Sequence, residues 1–220
     1  MCWRDDDASA PTPALDRLIE LAGARPLALA VIPNGDLNAL AARLAKTSLI
    51  SVGQHGVDHI ARSARNGARS EYSDNATTAD LARAIGAARA SMIAAGLEPS
   101  FYTPPWNAVQ PDLAKALKAV GLTRLSAGAE APPGSDLDYQ SSDVDILRWS
   151  GGPRFRGGWK VLSTLNSTLK RRRTSPNPCR PIGLLTHHLD HDETAWAFLA
   201  WLLPLLDRWF DWRRIEDETT

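Results

Sequence analysis

The chain has 220 residues, enough for one sizeable core and most simply one α/β domain spanning 1–220. Its 25 basic and 25 acidic residues balance, so nothing in the charge calls for nucleic acid or an anionic membrane as main partner. Two cysteines, Cys2 and Cys179, are too few for a disulfide framework. The longest apolar run, from Ala195 to Leu206, contains a proline and is too short to span a bilayer. With no apolar signal segment at the start, a soluble cytoplasmic protein is the expectation.

Cys2-Trp3-Arg4 reads as a short first strand that ends in Asp5-Asp6-Asp7. Thr12 and Pro13 supply a cap and a first helical residue, and Gly23 closes that helix. Leu27 to Ile32 is a continuous apolar run, as expected of a strand buried on both faces of a parallel sheet. Asp36 caps a helix through Ala45, and Leu49 to Val52 is the next strand. Gln54-His55-Gly56-Val57-Asp58-His59 follows at its end. Residues 61–77 are polar and aperiodic, the length of a functional loop. Thr78 is expected to cap an alanine-rich helix to about Ala95. Ser100 to Thr103 is a strand, ended by Pro104-Pro105-Trp106-Asn107.

A helix over Leu113 to Val120 and a strand over Leu122 to Ser126 come next, then a loop to about Gln140. Asp145 to Trp149 is a strand, 151–158 a glycine-punctuated loop, and Trp159 to Arg173 a helix with a basic end. Ile182 to Thr186 is the last strand, with His187-His188 at its C-terminal end. Asp192 opens a final helix carrying Trp196, Trp201 and Trp209. Strand and helix alternate about seven times over short connections, which implies a parallel sheet covered by helices. The chain is short for eight full units, so the expected fold is an incomplete or seven-stranded (β/α) barrel.

The polar residues concentrate at strand ends: Asp5 to Asp7, His55 and His59, Pro104 to Asn107, and His187-His188. The C-terminal rim is where such barrels gather chemistry. His55 and His59, four apart, would share one side of a helical turn and could grip one divalent metal with a carboxylate as third ligand. Each group alone has an ordinary explanation, whether a solvated face, a cap or a turn. Their joint occurrence, in this order, points to a site.

These pieces resemble the polysaccharide deacetylases of carbohydrate esterase family four. Arg4-Asp5-Asp6-Asp7-Ala8 is similar to the family's paired-aspartate motif and His55 to His59 to its His-x-x-x-His motif. Tyr102 to Asn107 is similar to the Pro-rich segment, and Leu185-Thr186-His187 to the late Leu-x-His motif. The resemblance implies an incomplete (β/α) barrel and a metal-dependent hydrolase that removes an acetyl group from an N-acetylated sugar or glycan precursor. On it, Asp6 is the general base, Asp7, His55 and His59 are the metal ligands, the Trp106 backbone N–H helps hold the oxyanion, and His187 is the general acid. Zinc is the ion favoured by the ligand type, with cobalt, nickel, manganese and iron also accepted.

Four departures are visible. Thr103 stands where the family often has an arginine that orients the base, leaving Arg148, Arg154 or Arg4 for that task. Three aspartates are offered for two roles, His188 sits where the family has aspartate, and the fourth motif is loosely matched by Asp145 to Trp149. Trp3, Trp106 and Trp149 are the candidates to stack on a sugar ring, and Asp58 and Asp190 the candidates to fix histidine tautomers. The alternatives are hydrolysis of a non-sugar C–N bond on the same fold, and a sugar-binding domain without catalysis.

Overall fold

The structure, a computed structural model, describes residues 1–65, 68–128, 130–131 and 136–217. Its first half runs β1 (Cys2–Ala8), α1 (Pro13–Ala22), β2 (Leu27–Val31), α2 (Leu37–Leu44) and β3 (Ile50–His55). A small hairpin, β4 (Ser63–Arg65) and β5 (Ala68–Ser70), precedes α3 (Thr78–Ala94) and β6 (Phe101–Thr103). Then come α4 (Leu113–Ala119), β7 (Arg124–Ala127), β8 (Asp138–Ser141) and β9 (Val144–Asp145). A second hairpin, β10 (Leu147–Arg148) with β11 (Arg154–Phe155), leads into α5 (Gly158–Arg173), β12 (Gly183–Thr186) and α6 (Glu193–Asp207).

Eight parallel strands form one sheet in the order β8-β7-β6-β3-β2-β1-β12-β9. The two edge strands, β8 and β9, are consecutive in sequence, so residues 141–144 carry the chain from one edge to the other and curl the sheet into an incomplete barrel. Ser142 N donates to Ala127 O on one edge, and Asp143 N to Gly183 O on the other. The strand count is therefore eight rather than seven. The expected strand over 145–149 is divided between β9 and β10, and β8 lies within the expected loop to Gln140, of which 129 and 132–135 fall outside the described residues.

Alternation along the strands separates the barrel interior from the apolar packing outside it. Trp3, Leu27, Leu29, Val31 and Leu184 pack outward with Leu15, Leu18, Leu40, Leu199 and Leu203 of the helices. Inside the barrel the filling is a cluster of five residues: Cys2, Ala28, Ala30, Phe101 and Ile215. Gly53 belongs here because a Cβ would lie 2.2 Å from the Phe101 ring. Ile215 and Glu216 seal the amino-terminal end of the barrel, Glu216 accepting from Ser51 Oγ at 2.6 Å and Ser100 Oγ at 2.5 Å. Trp3, a candidate sugar platform by sequence, is fully buried in the outer core, its indole N–H donating to Thr186 Oγ1 at 2.9 Å.

The caps follow the expected chemistry with one shift. Thr12 Oγ1 accepts from Leu15 N, and the Asp36 and Asp192 carboxylates accept from Ala39 N and Ala195 N. The α3 cap is Thr77, not Thr78: its hydroxyl accepts from Asp80 N while the Asp80 carboxylate accepts from Thr77 N, a reciprocal box.

Candidate active site

β1 carries the site on one irregularity. In a regular strand Asp6 and Asp7 would face opposite sides of the sheet. Here the pairing of β1 with β2 shifts register between Asp5 and Ala8, and Asp7 takes a left-handed backbone with φ of 73°. This bulge turns two consecutive carboxylates into the same cavity. Asp5 falls on the other face and is fully buried against the late strand. It accepts from His188 Nδ1 at 2.5 Å and from Thr186 Oγ1 at 2.5 Å. Burial opposes both charges, but each partner offsets it, so the Asp5 carboxyl lies below its ordinary range and the His188 imidazole above its own. Of the three aspartates and the two adjacent histidines, Asp6, Asp7 and His187 line the cavity, while Asp5 and His188 pair behind it.

His55 is the last residue of β3, and its Nδ1 donates to Thr103 O at 3.1 Å. That bond fixes the tautomer and leaves the Nε2 lone pair facing Asp7 Oδ1 at 3.1 Å. His59 Nε2 stands 3.4 Å from the same oxygen. The two histidines do not share a helical turn as their spacing suggests. The chain leaves β3 through an irregular turn, with Gly56 at φ 63° and His59 at φ 58°, and the imidazoles converge because the chain folds back. The turn is held by Glu71, whose carboxylate accepts from Val57 N, Asp58 N and His59 N.

Asp58 does not orient either histidine; its carboxylate forms a fork with Arg62. The expected tautomer-fixing role falls instead to the Thr103 carbonyl. Asp190, the other candidate, lies in the short turn His188–Asp190.

Among the described residues, Asp7, His55 and His59 are the group whose ligand atoms come close enough to hold a metal, all within 4.8 Å of one another. The donor set fits a divalent cation for a specific reason. With the His55 proton spent on Thr103, Nε2 and Asp7 Oδ1 are two acceptors facing each other, and Oδ1 is buried without a hydrogen bond. Only a cation reconciles them. A proton can serve: burial lowers the His55 pKa, but Asp7 and Asp6 outweigh it and hold the group above its ordinary value. Likewise burial raises the Asp7 carboxyl, and His55 outweighs it, with a net position below the usual carboxylate range. His59 lies lower than usual through burial and the like charge of His55.

Asp6 is oriented by Arg4, two residues earlier on the same face of β1. Arg4 Nε and Nη2 meet the two Asp6 oxygens at 2.8 and 3.0 Å, both side chains being about 3 % exposed. The rest of the guanidinium is anchored by Ser126 Oγ at 2.6 Å and Asn107 Oδ1 at 3.0 Å. Of the three arginines weighed from sequence, Arg4 is the one that occupies this place. Asn107 belongs to the Pro105–Asn107 turn, where Trp106 and Asn107 are both left-handed, φ 55° and 54°.

His187 closes the opposite end of the motif series. Its Nε2 is 3.8 Å from Asp6 Oδ2, and the Trp149 ring stands edge-on to it at 4.6 Å between centroids. Trp149 Nε1 donates to Asp145 Oδ2 at 2.8 Å, and burial pushes the Asp145 carboxyl up while His187 draws it partly back. These groups line a cavity of about 790 Å³ together with Arg69, Gly152 and Pro153. Trp106 and Trp149 are thus at the cavity as expected. Arg69, Glu71 and Ser126 were not singled out by sequence reading; Arg69 and Glu71 sit in the aperiodic stretch, which carries no pattern to mark them.

The sequence matches no protein-family model and no curated protein. Its fold matches solved structures along nearly the whole chain. A family 4 carbohydrate esterase from Streptomyces lividans, solved with acetate, is 13 % identical, covers 94 % of this chain and 88 % of its own, and gives a TM-score of 0.60. A family 4 acetyl xylan esterase from Clostridium thermocellum, solved with a cobalt ion, is 13 % identical over 98 % of this chain and 88 % of its own, TM-score 0.58. A peptidoglycan deacetylase from Bacillus subtilis is 15 % identical over 94 % and 82 %, TM-score 0.53. The fold is thus that of the family 4 carbohydrate esterases and polysaccharide deacetylases, the class the sequence motifs resemble.

Proposed function

We propose that this chain is a metal-dependent deacetylase that releases acetate from an N-acetylated sugar or a related glycan precursor. The observation that carries this reading is the convergence of Asp7, His55 and His59 on the floor of a cavity that also contains Asp6 and His187. A neighbour of the same fold carries cobalt and others act on acetylated glycans, which supports the class of ion and substrate. Zinc fits the nitrogen and oxygen donors best among common ions.

A divalent ion held by these three side chains supplies Lewis acidity and a more acidic water. The remaining steps belong to the protein. Asp6 accepts the proton of the attacking water; the Arg4 fork holds its carboxylate aimed. On this reading the Trp106 backbone N–H shares the charge that develops on the carbonyl oxygen. His187 donates a proton to the departing amine, a poor leaving group without it, and Trp149 shields that imidazole from bulk water.

The test is a metal analysis joined to an acetate-release assay on chitin oligosaccharides, peptidoglycan fragments and simple ring amides. One divalent ion per chain, acetate release from a glycan, and loss of both in Asp7→Ala and His55→Ala are expected. Hydrolysis confined to the ring amides would replace the sugar with another C–N substrate. A metal-free protein inert with added zinc or cobalt would overturn the enzyme reading.

A further inference from the structure

Two of the three candidate ligands stand on the sheet. Asp7 is in β1 and His55 ends β3, where Thr103 O fixes its ring. His59 is different: it lies beyond the strand in a turn with no regular structure of its own. Left-handed residues at Gly56 and His59 turn the intervening N–H groups toward a common point, an arrangement that suits an anion.

The Glu71 carboxylate fills that point. One oxygen accepts from Val57 N at 2.9 Å, Asp58 N at 2.7 Å and His59 N at 2.6 Å, and the other from Val57 N at 2.8 Å. Glu71 is 2 % exposed, and among the described residues no side-chain cation pairs with it. It arrives from the end of the β4–β5 hairpin, whose backbone is pinned at this point. Arg62 Nη1 donates to Glu71 O at 3.2 Å, Ser63 Oγ to Tyr72 O at 2.7 Å, and the Tyr72 and Tyr102 hydroxyls meet at 2.8 Å. The fit leaves no slack: a Cβ on Gly56 would stand 2.5 Å from Glu71 Oε2 and 2.5 Å from Pro105 Cγ.

We propose that Glu71 is a positioning residue for the metal centre, setting through three backbone N–H groups where the His59 imidazole stands relative to Asp7 and His55. The proposal rests on the metal reading given above. It assigns a purpose to the β4–β5 hairpin, which delivers an acceptor to the one ligand the sheet cannot place.

The experiment uses the full chain stripped of metal and titrated with zinc against a chromophoric chelator, with cobalt absorption as a probe of ligand geometry. Glu71→Gln keeps the size of the side chain but replaces one acceptor oxygen with a donor that opposes the turn N–H groups. It is expected to weaken zinc binding about tenfold to a hundredfold, the range seen when groups supporting metal ligands are removed, and to change the cobalt spectrum. Lys115→Ala, at an exposed position of α4 outside the cavity, is the control and is expected to bind zinc like the wild type. Wild-type zinc affinity and cobalt spectrum in Glu71→Gln would overturn the proposal. A second measurement needs no variant: the amides of Val57, Asp58 and His59 are expected to exchange slowly in the metal-free wild type, and fast exchange there would also overturn it. A wild type that takes up neither ion defeats the metal reading itself, an outcome distinct from either.

Discussion

Arg4 and Asp6 stand two residues apart on one face of β1 and join through a two-bond fork at 2.8 and 3.0 Å, buried at the candidate active site. Arg4 is not among the residues lining the cavity, so on the proposed mechanism it acts only through Asp6. Arg4→Lys replaces a planar fork with a point charge and cannot hold both oxygens. It is expected to lower kcat about 10²-fold or more, in the range of a lost general base, with KM and metal content little changed. Arg4→Met leaves Asp6 buried and unpaired and is expected to cost about 3–5 kcal/mol in denaturant unfolding.

Metal binding is expected to appear as stability. The ligands come from β1, β3 and the turn beyond it, so an ion held between them ties elements that unfold together. At zinc concentrations about 100-fold above Kd the folded state gains about 2.7 kcal/mol, read as a rise in Tm that a chelator reverses. Asp7→Ala is expected to show no such rise.

His191 makes the fold sensitive to acid. Its ring lies edge-on to Trp196 at 4.5 Å, and both nitrogens are buried without hydrogen bonds. Burial drives its pKa down to about 4 from an ordinary 6.5. Between those values the unfolded chain holds the proton and the folded chain does not. Stability is therefore complete above pH 6.5 and declines as the pH falls toward 4, by at most about 3 kcal/mol. Comparing wild type with His191→Phe between pH 7 and 5 isolates the effect: the variant keeps the ring contact and is expected to lose the slope.

The two thiols are expected to differ sharply. Cys2 is buried inside the barrel and burial pushes its thiol up to about 12, whereas Cys179 is exposed. A thiol reagent at pH 8 is expected to modify one cysteine quickly in the native protein and both in denaturant.

The sequence revealed the strand ends better than the geometry between them. Asp6, Asp7, His55, His59, Trp106 and His187 all reach one cavity because parallel strands deliver their C-terminal ends to one rim. Spacing misled at His55 and His59, since four residues match a helical turn but also an irregular one, and only Glu71 decides which. Arg4 was weighed with two others; its two-residue offset from Asp6 on a strand was the available signal, visible once β1 was known to continue to Ala8 rather than stop at Arg4. β8 and the β4–β5 hairpin are short, polar and without apolar alternation, so periodicity had nothing to register. Trp3 failed as a platform because one residue of strand register separates the barrel interior from the outer core.

All four non-glycine residues with left-handed backbone among the described residues, Asp7, His59, Trp106 and Asn107, line this one cavity. Each such conformation costs on the order of 1–3 kcal/mol and persists only while its surroundings insist on it. The barrel core supplies that insistence from below. Partial loosening by heat or urea is therefore expected to relax these four positions first, with the proposed acetate release lost while far-UV circular dichroism still reports an intact barrel.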